Sequence, residues 1–186
     1  MSTLYVDSIQ PKTTGQAINV ATTNQTGHVL QMPFKQYTDT TQVTIPANTD
    51  TTIDVLSVNI TPTSTSSLIK LDSFIFHEWV NPDAPYYSMW YFYRDTTKLG
   101  APKVGNRISG ITNSATSYYS SDSSSTAESA NYSYFDSPNT TSQITYKVGV
   151  ICFYSTSVFI NRTVTDSNNL YSTRGMSFIS ATEIGG

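Results

Sequence analysis

The residues that could do chemistry are few and far apart. Two histidines, one cysteine and 13 carboxylates make up the reactive inventory of this 186-residue chain. His77 precedes Glu78, but no second histidine stands where an H-E-x-x-H zinc site needs one. His28 follows Gly27 at a strand start, with no ligand spacing around it. No metal is therefore expected. No cofactor is expected either, since the G-x-G-x-x-G, P-loop and G-x-S-x-G patterns are all missing from the sequence. Cys152 with His77 would make a nucleophile and a base. An apolar strand around the thiol raises its pKa, however, so Cys152 reads as a small buried hydrophobe. A glycosidase needs two carboxylates facing each other across the scissile bond. Asp72 and Glu78 share one strand face roughly 20 Å apart by strand rise, too far for that, and read as a solvated face. The catalytic residues expected are none.

What remains is binding. Tyr118, Tyr119, Tyr132 and Tyr134 stand among Ser, Asn and other small residues. Rigid aromatics with adaptable polar neighbours are the chemistry of a contact surface. These four are the candidate receptor contacts, with a host glycan or protein as ligand. The competing reading is that they cover the sheet or pack between subunits.

Composition narrows the classes. Charged residues are 12% against 38% hydrophobic, with a net charge of −3. So little charge with that apolar content argues against disorder. No Lys/Arg cluster exists to neutralise phosphates, so nucleic acid is not an expected partner. No window approaches the ~18 apolar residues of a membrane helix, so no membrane insertion is expected. The N-terminus shows no basic patch followed by an apolar run, so no secretion signal is expected. The N-x-S/T triplets at Asn24, Asn59, Asn131, Asn139 and Asn161 then read as chance. Arg174-Gly175-Met176 is not an R-G-D.

The positioning elements read as strands. Gln143–Tyr154 alternates, with Ile144, Tyr146, Val148, Val150 and Cys152 on one face. Ser155–Ser157 is short enough for a hairpin, so Val158–Thr165 is expected to fold back on it. Met176–Ile184 is the last strand. Leu68–Val80 is a long strand, and Pro33 demotes the strand at His28–Tyr37 to an edge or bulge. Tyr86–Arg94 carries large side chains on both faces, which a central strand or a subunit interface would explain. Residues 95–141 lose the periodicity and read as a long loop-rich insertion. Residues 1–27 hold two short strands that cannot bury themselves, with Leu4, Val6, Ile9, Ile18 and Val20 as their apolar residues. Docking onto the body of the same chain, onto copies of itself in an oligomer or onto a larger assembly is expected for them. Seven or eight strands with frequent turns predict an all-β antiparallel β-sandwich, a jelly roll, over 28–186, with 1–27 as a short extended attachment segment.

The chain ends carry a resemblance. The opening "LYVDSIQPKTTGQAINV", followed by "GHVLQM", is similar to the start of short tail-fibre and head-fibre proteins of tailed bacteriophages. The closing "SVFINRTVTDSNNLYSTRGMSFISATEIGG" resembles their C-terminal knobs, with Ile160-Asn161-Arg162 at a strand end and Glu183-Ile184 closing the last strand. It covers about the first 35 and the last 30 residues. The resemblance implies a homotrimeric virion protein, assembled in the host cytoplasm, with a C1q/tumour-necrosis-factor-like knob. It implies that 1–27 attach to other virion proteins and that Phe178 and Ile184 lie in a trimer interface. A fibre or spike for host attachment is the first reading. A capsid decoration protein is the alternative, and a carbohydrate-active enzyme on a β-sandwich is the alternative of another class.

Overall fold

The computed structural model describes residues 26–115 and 125–186. Eleven strands follow in chain order among them: β1 Val29–Gln31, β2 Phe34–Tyr37, β3 Thr41–Ile45, β4 Thr51–Ile60, β5 Leu68–Trp79, β6 Ser88–Arg94, β7 Thr97–Leu99, β8 Glu128–Asp136, β9 Ile144–Cys152, β10 Thr156–Ile160 and β11 Ser177–Ile184. A short 3-10 turn, Ala84–Tyr87, precedes β6. Their pairings are antiparallel, and the strands form two sheets. The larger sheet runs β1-β11-β5-β10-β3, with β2 also on β11 and β8 on the other edge of β5. The smaller runs β4-β9-β6-β7. The fold is the all-β antiparallel sandwich of jelly-roll type that the strand pattern predicts.

The core lies between the sheets, and period-two alternation builds it. Ile69, Leu71 and Ile75 point inward from β5, Val148, Val150 and Cys152 from β9, and Ile179 and Ala181 from β11. Burial pushes the Cys152 thiol pKa up, as expected of a dry strand interior. One polar staple joins the layers. Asp136 on β8 takes the Arg94 guanidinium at 2.9 Å and the Tyr146 hydroxyl at 2.6 Å. Tyr146 keeps its proton there, its pKa raised chiefly by burial.

One sequence expectation changes. Ser155–Ser157 does not make a hairpin, because β9 and β10 lie in different sheets. Three extended residues reach about 10 Å, the spacing of packed sheets, so a link this short crosses layers as readily as it turns back. The loop-rich stretch 95–141 also holds strands: β7 and nine-residue β8, which pairs with β5 from Ile69↔Asp136 to His77↔Glu128. The central-strand reading of β6 holds: it is covered on both faces within one chain. Trp90 and Phe92 face the core, while Tyr91 lies over Gly149 on the other side. A Cβ on Gly149 would come within 2.3 Å of the Tyr91 ring, so only glycine admits that packing. The break at Pro33 is as expected. Its carbonyl still accepts from Ala181 N at 3.0 Å.

Candidate functional site

The outer face of the larger sheet carries an aromatic ladder. Register places Phe178 of β11 beside Gln36 of β2 and Phe74 of β5. Phe34 stands one step away on β2, opposite Ser180. The Phe74 and Phe178 rings stack at 6.4 Å between centroids and 21° between planes. Phe34 is 64% exposed and Phe178 37%, and Met176 is exposed beside them, its Sδ 3.8 Å from Gln36 Nε2. Phe76 continues the row with Gly175 laid against its ring, where a Cβ would be 2.4 Å from Cγ. Toward the sheet end, Ile184 pairs with Val29, which is exposed. Asp72 shares this face, opposite Ser180 in the row of Phe34, and pairs with Lys70 at 2.9 Å. An exposed aromatic patch of this kind associates by burial, full burial of a phenylalanine contributing about 1.5–3 kcal/mol.

Both candidate interface residues, Phe178 and Ile184, lie on this face of β11. The candidate attachment residues Leu4, Val6, Ile9, Ile18 and Val20 lie outside the described residues, as do Tyr118 and Tyr119. Tyr132 is corrected. It points inward from β8, is 6% exposed, packs on Phe92 at 4.7 Å, and donates its hydroxyl to Tyr91 O at 3.1 Å. It offers nothing to a receptor. Tyr134 shares that inward face and packs half-buried against the core. The outward residues of β8 are Asn131, Ser133 and Phe135 instead.

Glu78 is also corrected. It is 1% exposed and not part of a solvated face. Its carboxylate accepts from Thr126 N at 2.7 Å and Val164 N at 2.5 Å, tying two connections to β5. A third buried carboxylate, Glu183, accepts from Thr63 N, Thr63 Oγ1, Ser67 Oγ and Gln31 Nε2 at 2.6–2.8 Å. Burial alone raises its pKa, but hydrogen bonds from Ser67, Gln31 and Thr63 outweigh that and hold it below the usual carboxylate value.

Sequence reasoning missed one cluster with catalytic atom types. His77 Nε2 lies 2.8 Å from Ser114 Oγ and 3.4 Å from Glu128 Oε2. Its wiring differs from a hydrolytic triad, where one ring nitrogen takes the serine and the other the acid. Here both converge on Nε2, while Nδ1 faces Ile75 O at 3.2 Å. The indole N–H groups of Trp79 and Trp90 donate to Ser114 Oγ at 3.4 and 3.1 Å. Ser114 Oγ thus sits between the two indole N–H groups and the imidazole. Ser114 and His77 are buried, and no nucleophile is presented. The cluster ties β5, β6 and β8 to residues 111–115. His77 and Glu128 were legible only as single residues, since 37 positions separate His77 from Ser114.

Comparison with protein-family models and with curated proteins finds no match for this chain.

Proposed function

We propose that this chain is a non-enzymatic structural protein of a virus particle, a homotrimeric fibre or spike for host-surface attachment. Residues 1–27 join it to other virion proteins, and 28–186 form the knob. The observation that carries this reading is the aromatic face of the larger sheet, where Phe34, Met176 and Phe178 are exposed. It holds Phe178 and Ile184, the two positions that the phage-fibre resemblance puts in a trimer interface. A monomer that left Phe34, Met176 and Phe178 in water would carry an aggregation hazard; copies closing on one another about a three-fold axis remove it. Three knobs on one fibre then bind by avidity, so each surface site needs only weak affinity.

Size-exclusion chromatography with light scattering tests it. The wild-type chain is expected at three times the chain mass. Phe178→Asp or Ile184→Asp is expected to abolish assembly. A stable wild-type monomer overturns the reading, and a normal oligomer from either variant removes that residue from the interface. Immunogold labelling of particles then separates a fibre on the tail from a decoration of the head.

A further inference from the structure

One end of the sandwich presents an aromatic platform that the sequence reading did not single out. Three connections meet there. Phe153 N donates to Tyr87 O at 2.9 Å, Asn48 N to Cys152 O at 2.7 Å, and Val80 N to Ser157 O at 2.9 Å. Tyr86, Tyr87 and Phe153 are each about half exposed. The rings of Tyr87 and Phe153 are locked edge to face on Tyr154. Tyr87 meets Tyr154 at 5.6 Å and 90°, and Phe153 meets Tyr154 at 5.0 Å and 78°.

The backbone beneath them is equally fixed. Pro82 and Pro85 set φ at two positions of the turn. Asn81 Oδ1 accepts from Asp83 N at 2.9 Å, and Ala84 N and Tyr86 N close the 3-10 turn on Asn81 O and Asp83 O. Covering the core at this end requires only Ala84, Pro85 and Cys152, which are already buried. The exposed halves of the rings exceed that need.

We propose that this platform binds a neutral carbohydrate. Sugar C–H faces stack on rings, and sugar hydroxyls need convergent polar partners beside them. The platform offers tyrosine hydroxyls, the Asn81 amide and the exposed Asp83 carboxylate. Charge narrows the class. The turns Pro46–Thr49, Val80–Tyr87 and Phe153–Ser155 contain no Lys or Arg, and Asp83 is their one charged residue. An anionic polymer finds no counter-charge there and one repulsive group. Rings already held in place lose little entropy on binding, which suits a site of small area.

This inference rests on reading the knob as the part that meets the host surface. The test uses the full chain on a printed array of neutral oligosaccharides (glucans, galactans, N-acetylglucosamine oligomers) and acidic ones (polyglucuronate, glycerol-phosphate polymers). Retention on a neutral glycan is expected. Tyr87→Ala and Phe153→Ala should each weaken it about tenfold or more, with circular dichroism and Tm unchanged. Tyr87→Phe, which keeps the ring, should stay within about threefold. A chain that binds no neutral glycan, binds only acidic ones, or binds as well with Tyr87→Ala overturns the proposal. Light scattering on the same preparation keeps the two readings apart. A trimer that ignores neutral glycans removes the platform alone, and a monomer that binds them removes the trimer alone.

Discussion

The two faces of β11 are built from one eight-residue strand and face opposite problems. Inward, Ile179, Ala181 and Glu183 are fully buried, and even the carboxylate has its donors supplied by three neighbouring residues. Outward, Phe178 stacks on Phe74 and then stops at solvent, beside exposed Phe34 and Met176. The inner face is satisfied within the chain; the outer face has aromatic area left over. Under the proposed trimer, stability and assembly are therefore separable on this sheet, and a substitution should report on one or the other according to the face it occupies.

The largest effect is expected at the inner face. Leu71→Ala empties a fully buried site on β5 and should cost about 3 kcal/mol, read from the urea midpoint. Glu183→Ala comes next. It strands the Thr63, Ser67 and Gln31 donors and should cost about 2 kcal/mol at pH 7. Its folded-state pKa is lowered, so that contribution is present above the unfolded carboxyl pKa and is lost as pH falls through the folded value. The gap between wild type and Glu183→Ala should accordingly close in acid urea titrations. A gap that persists at pH 2 would mean that packing, not charge, makes the contribution.

The smallest effect on folding is expected at the outer face. Phe34→Asp should move monomer stability by less than about 0.5 kcal/mol. Its readout is assembly: the wild-type Tm should rise with protein concentration, as mass action requires of an oligomer, and the variant should lose that dependence. If Phe34→Asp destabilised the monomer as much as Leu71→Ala, the two faces would not be separable.

The strands were legible where alternation was long and apolar. Ile144 to Cys152 and Leu68 to Trp79 stand where period two puts them, and the sandwich follows from them. Partner choice was not legible. Nothing in Ser155–Ser157 says that the next strand joins the other sheet, because alternation defines faces and not neighbours. β8 was missed because its inward residues, Ala130, Tyr132 and Tyr134, are one small residue and two tyrosines, which read equally well as a binding loop. Glu78 misled for a related reason. A carboxylate satisfied by two backbone N–H groups has the same one-letter code as a solvated one, and both donors come from distant loops. The aromatic platform needed three connections to converge, and the sequence holds them about 30 to 70 residues apart. The outer-face ladder was half visible: Phe178 could be named from the strand, but Phe34 and Phe74 join it only through register.

The backbone at Gly27–His28 and at Gly185 meets at one corner. Gly27 N donates to Gly185 O at 2.7 Å, and Gly185 N donates to His28 O at 2.9 Å. This adjacency decides where cargo would sit. A peptide tag or reporter fused after Gly186 emerges beside Gly27 and His28, at the same corner of the sandwich. To display cargo outward, the graft belongs in the Ser167–Ser172 connection, where Leu170 is 98% exposed. By the same geometry, a short linker from 186 to 26 gives a circular permutant with its new ends in that connection, and the sandwich pairing stays intact.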